Sequence, residues 1–129
     1  VKYVGQLSHE EALKLQASAD LIPVLYDLKT PINRIAMPNK IFEAMMLGIP
    51  IITNVTHLAD MMKDFQCGLA VDYDNIKTIK QAILHLKSHP EIGLQMGVNG
   101  KRAFALKFNW SRMEERLLNL YDQLLSAKN

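Results

Sequence analysis

A segment closed at both ends by proline restricts this chain more than any other: Met37-Pro38-Asn39-Lys40-Ile41-Phe42-Glu43-Ala44-Met45-Met46-Leu47-Gly48-Ile49-Pro50, running on into Ile51-Ile52-Thr53. Pro38 suits the first turn of a helix, where a missing N–H costs little. Gly48 suits the left-handed position just past a helix end. Pro50 blocks further helix, and the β-branched residues after it read as a core strand. The segment is therefore a loop, a short helix, a glycine stop and a buried strand. Lys40 and Glu43 are expected in the first turn of this otherwise apolar helix. A helix N-terminus attracts phosphate, and a carboxylate accepts hydrogen bonds from sugar hydroxyls. These are the parts needed to hold a nucleoside diphosphate.

The flanking sequence repeats the alternation of strand and helix. Residues 1–4 read as a short strand ending at Gly5, and Ser8 with Glu11 forms a capping box. The helix it opens runs to about residue 19, with Leu13, Leu15 and Ala17 as its apolar stripe. Residues 21–26 are a continuous apolar run, hence a buried strand, with Pro23 marking a bulge or an edge. Residues 27–37 form a polar loop containing Pro31 and Asn33. After the motif come a short helix over residues 58–65 that starts near Thr56, a strand over 68–71, and an Asn75-capped helix over about 76–88 with Ile79, Ile83 and Leu86 on one face. Pro90 opens a helix to about residue 107, and a last helix spans about 111–126. Its stripe is Met113, Leu117, Leu120, Tyr121 and Leu124. The pattern predicts an α/β fold: a Rossmann-like parallel sheet flanked by helices, with a helical C-terminus.

The motif resembles the donor-binding segment of glycosyltransferase family four, Pro-x-Lys-x-x-Glu-x-Met-x-x-Gly-x-Pro before an apolar strand. Every fixed position is filled here from Pro38 to Pro50, and the resemblance covers nearly all 129 residues. It implies the C-terminal, donor-binding half of a GT-B fold, a doubly wound sheet of about six strands in order 3-2-1-4-5-6. Residues 1–4 would be strand three, the motif helix would join strands four and five, and residues 69–71 would be strand six. Residues 108–111 resemble the aromatic turn before the family's final helix, which packs back across the partner domain. By that mapping residues 1–129 are a fragment, lacking the first two strands and the whole N-terminal, acceptor-binding domain. Residues 1–4 would then pair non-natively or between molecules, or leave a sheet edge exposed.

By resemblance Glu43 binds the ribose hydroxyls. Read without the family, it is a carboxylate that favours the helix dipole and pairs with Lys40. Lys40 suits a phosphate as a point charge, or is a solvated lysine. Pro38 and Asn39 shape the loop and the helix start, and the Asn39 backbone N–H can face a diphosphate. Many family members carry Glu-x7-Glu, but Ile35 stands where the first glutamate would be. The segment Asn33-Arg34-Ile35-Ala36-Met37 looks more like branches with Asn or Ala before the motif. Asn33 and Arg34 are then donor contacts or parts of a solvated loop. The leaving-group cations lie outside the chain, so no catalytic residue is named.

The resemblance implies an intact retaining, metal-independent glycosyltransferase, inactive as this fragment. It would move a sugar from a nucleotide sugar, UDP before GDP, to a glycan or lipid-linked acceptor held by the missing domain. It also implies polysaccharide or surface-glycan synthesis, a cytoplasmic site, peripheral membrane association at the inner face, and room for a truncation-induced dimer. The net charge of +2 points away from nucleic acid. No apolar run approaches the roughly 20 residues of a membrane span. The start at Val1 rather than Met suggests a piece of a longer protein. Cys67 reads as a small buried residue, the methionines as core filler. His9, His57, His85 and His89 read as solvated, and no metal-ligand spacing is legible. The competing reading is a catalytically inactive Rossmann-like nucleotide-binding or interaction domain. A response-regulator-like domain would need clustered aspartates, a spacing that Asp20, Asp27, Asp72 and Asp74 lack.

Overall fold

Three parallel strands at the centre of a computed structural model, which describes residues 2–127, form one sheet in the order β1-β2-β3. They are β1 (Ile22–Val24), β2 (Ile51–Thr53) and β3 (Gly68–Ala70). The registers pair Val24 with Thr53 and Thr53 with Ala70. β2 lies between its neighbours and is buried on both faces, as its unbroken β-branched sequence requires. Even Thr53 is enclosed, its hydroxyl accepting the Val55 N–H at 3.3 Å. Pro23 stands on β1, which pairs only with β2 among the described residues. An edge strand tolerates its missing donor.

The helices are α1 (His9–Ala17), α2 (Asn39–Leu47), α3 (Thr56–Phe65), α4 (Ile76–Ser88), α5 (Pro90–Ala103) and α6 (Trp110–Ser126). Three of the starts, those of α1, α4 and α6, have a side-chain cap. At α1 the Ser8 Oγ accepts the Glu11 N–H while the Glu11 carboxylate accepts the Ser8 N–H at 2.9 Å. At α4 the Asn75 side chain accepts from the Lys77 N–H, and at α6 the Asn109 Oδ1 accepts from the Arg112 N–H. α2 ends as its glycine demands: Gly48 has φ +76°, and the Ile49 N–H reaches back to the Ala44 carbonyl at 2.9 Å. α5 crosses this same point. A Cβ on Gly97 would stand 2.0 Å from the Gly48 carbonyl oxygen, so the crossing needs glycine there.

The core lies between the sheet and α2, α3 and α5. Val24, Ile41, Ala44, Met45, Ile51, Val55, Leu58 and Met62 are all fully buried. Cys67 is buried with its Sγ 3.5 Å from the Met62 Sδ, and burial pushes its thiol up to about 11. The methionines divide: Met45 and Met62 fill the core, while Met37 and Met46 are exposed.

Three expectations are corrected. Residues 2–7 form no strand, and Val1 lies outside the described residues. Without a neighbour to complete a ladder, that backbone gains nothing from extension, and Tyr3 and Val4 face water. The helix from Pro90 does not run α-helical to residue 107. It loosens after Ala103 into a π-helical turn, Phe104–Phe108, which carries Phe108 between Phe42 and Phe65 at centroid distances of 5.5 and 5.4 Å. On α4 only Leu86 of the expected apolar face is buried, and Ile83 is largely exposed.

Candidate functional site at the start of α2

Pro38 adopts φ −74°, ψ 140°, an extended conformation, and is the residue before α2 rather than its first turn. The helix therefore begins at Asn39. Lys40 lies in the first turn as expected, but Glu43 is displaced into the second. No side chain caps this end. Its first N–H groups, which no preceding helical carbonyl can satisfy, belong to Asn39 and Lys40.

Lys40 and Glu43 do not pair with one another among the described residues; each turns to a different neighbour. The Glu43 carboxylate accepts a hydrogen bond from the Gln16 Nε2 of α1 at 3.0 Å, in a partly buried contact. The Lys40 ammonium stands 5.3 Å from the centre of the Tyr26 ring, a cation–π distance. Tyr26 is itself held. The Asn54 Oδ1 accepts its N–H at 2.9 Å, and the Asn54 Nδ2 donates to its carbonyl at 2.7 Å. One side-chain amide thus extends the β1–β2 pairing beyond the last ladder residues and sets where the chain leaves β1.

The loop over residues 27–37 closes on itself. Asp27 Oδ1 accepts the Lys29 N–H at 2.9 Å, Asn33 Nδ2 donates to the Asp27 carbonyl at 2.8 Å, and Arg34 Nε donates to the Leu28 carbonyl at 2.7 Å. A 3-10 turn over Pro31–Arg34 carries the last two. His57 on α3 contacts the Ala36 carbonyl through Nε2 at 3.0 Å. Asn33 and Arg34 therefore hold the loop in shape. Arg34 also lines a cavity of about 400 Å³ with Asp27, Lys29, Asn54, Asp72 and Asp74. It opens beyond the carboxyl ends of the strands, where parallel α/β sheets bind ligands. Asn39, Lys40 and Glu43 lie on α2 with Pro38 just before it, and none of the four lines that cavity.

Ile35 points outward, 74% exposed, at the position of the absent glutamate. Among the described residues no three His, Cys, Asp or Glu side chains gather as metal ligands, and no helix is long and apolar enough to cross a membrane. His85 and His89 stack at 4.7 Å where α4 gives way to α5. Gln16, Tyr26 and Asn54 were not legible as site residues. Asn54 carried a faint signal, a polar residue directly after the apolar strand; Gln16, far off in sequence on a separate helix, carried none.

Residues 1–89 match the family model described as glycosyl transferases group 1. The chain belongs to that family. The matched part runs through the sheet, the loop, α2 and α3 to the end of α4. Among solved structures it is similar to sucrose-phosphate synthase from Thermosynechococcus elongatus, at 26% identity and a TM-score of 0.82. That match covers 98% of this chain, α5 and α6 included, and 31% of the synthase chain. The parallel sheet with flanking helices is thus the architecture of a GT-B enzyme. None of the curated proteins matches the chain.

Proposed function

We propose that this chain is the donor-nucleotide half of a retaining glycosyltransferase. The observation that carries this reading is the uncapped N-terminus of α2, with Lys40 in its first turn and Glu43 in its second, beside the carboxyl ends of a parallel sheet. The diphosphate of a nucleotide sugar takes the N–H groups of Asn39 and Lys40 together with the Lys40 charge. Glu43 accepts the ribose hydroxyls. The sugar lies along the loop, near Asn33 and Arg34. As the bond between the sugar's anomeric carbon and the diphosphate breaks and the acceptor hydroxyl oxygen bonds that carbon, charge builds on the departing diphosphate. The α2 dipole and Lys40 stabilise it, together with cations from outside this chain and without a metal ion.

The chain spans about a third of the synthase it resembles, and the acceptor, a glycan or lipid-linked glycan, is assigned to a further domain. α6 is assigned to the same contact, because Leu117, Leu120, Tyr121 and Leu124 are each about half exposed. Transfer needs both parts closed around the donor to exclude water. The isolated chain then binds nucleotide without turning over, with UDP preferred to GDP. The exposed Ile35 favours a second reading, a domain that binds nucleotide but has lost transfer. Full-length protein with Glu restored by Ile35→Glu separates these: only a domain that lost transfer gains activity.

The test of the donor site is amide NMR of the labelled chain with UDP, GDP and ADP, alongside Glu43→Ala. Shifts confined to residues 39–44 and the loop, weakened about tenfold in the variant, support it. Shifts elsewhere that Glu43→Ala leaves unchanged overturn it.

A further inference from the structure

Gln16 makes a choice that costs the fold stability. Its amide nitrogen is committed to the Glu43 carboxylate at 3.0 Å, while its Oε1 is buried with no hydrogen-bond partner. A carboxylate accepts and does not donate, so only this orientation of the amide suits Glu43. An orphaned buried acceptor is unfavourable, and such a group in a native fold calls for an explanation. A leucine would fill this place on α1 without the penalty. The retained amide makes sense if what matters is the state of Glu43 rather than the packing of α1 on α2.

We propose that Gln16 is a positioning residue of the nucleotide site. Its amide holds Glu43 Oε2, restricts the carboxylate to one orientation, and leaves Oε1 to meet the paired hydroxyls of a ribose. This rests on the reading of Glu43 as the ribose contact. An unheld glutamate on the second turn of a helix samples several rotamers and must lose that freedom when ligand binds. Gln16 removes the loss beforehand. Its contribution therefore depends on both Glu43 and the ribose hydroxyls, a dependence that a packing residue would not show.

The experiment is a titration of the 129-residue chain with UDP and with 2′,3′-dideoxyuridine diphosphate. It uses wild type, Gln16→Leu, Glu43→Ala and the double variant, with Gln16→Met as a second replacement should leucine disturb α1. Gln16→Leu is expected to weaken UDP binding on the order of tenfold. The dideoxy compound should bind wild type and Gln16→Leu alike. In the Glu43→Ala background, Gln16→Leu should cost nothing further. Equal weakening of both ligands, undiminished weakening without Glu43, or no weakening overturns the positioning role. If wild type binds UDP and Glu43→Ala weakens it while both Gln16 variants match wild type, only the role of Gln16 falls. If wild type binds none of UDP, GDP and ADP, the donor site falls, and the role of Gln16 with it.

Discussion

α2 and α6 are both amphipathic, yet they stand at opposite limits of burial. α2 is short and puts Ile41, Ala44 and Met45 wholly inside, under α5 and against the sheet. α6 is nearly twice as long and buries no residue; Leu118 and Leu125 are more than half exposed. The apolar stripes look alike in sequence, so periodicity alone does not say what a helix packs against. α2 is held by tertiary contact. α6 is held in this chain by its start, where Asn109 accepts the Arg112 N–H and donates to the Ala105 carbonyl at 2.6 Å, with an exposed Arg112–Glu115 pair beyond. A helix secured that way frays from its far end. The candidate site occupies the helix that is packed into the core; the helix that buries nothing carries no candidate ligand contact.

This contrast has measurable consequences. Met45→Ala should destabilise the chain by about 2–5 kcal/mol in denaturant unfolding, because it opens a cavity under α2. A loss below about 1 kcal/mol would place α2 outside the cooperative core. Gly97→Ala should cost about 1–3 kcal/mol, since its methyl must push α5 off the Gly48 carbonyl. Unfolding measured across alkaline pH should show the buried thiol. The folded Cys67 keeps its proton where the unfolded chain has released it, so stability is full below pH 9 and falls progressively from there to about pH 11. Cys67→Ser should remove that dependence. Asn109→Ala should cost about 1 kcal/mol and appear in hydrogen exchange as faster opening of α6, with α2 unchanged. Leu120→Ala should be nearly silent, within about 0.5 kcal/mol. A large effect there would mean that α6 is packed in solution and would erase the contrast with α2.

Much of the fold was legible because its causes are local. The Ser8–Glu11 box, the Asn75 cap and the Gly48 stop each depend on residues within one turn, and each stands where the pattern put it. The motif pointed to the family that the match over residues 1–89 establishes. Residues 1–4 misled because β-propensity describes a fit to a neighbour, and that neighbour is not among the described strands. Glu43 was placed one turn too early because Pro38 suits either the residue before a helix or its first position. Only the backbone angles separate the two.

By itself, then, the sequence determined the order of the strands and helices from α1 onward, the buried identity of β2 and the family. These follow from steric preferences and polarity within a few residues. The tertiary structure alone decided that Gln16 holds Glu43, that Asn54 clamps Tyr26, that α5 crosses the end of α2 at Gly97 and Gly48, and that α6 buries no residue within this chain. Gln16 and Glu43 are 27 residues apart, Tyr26 and Asn54 28 apart. Groups so distant meet only after the chain has packed, through hydrogen bonds whose geometry has no counterpart in local composition.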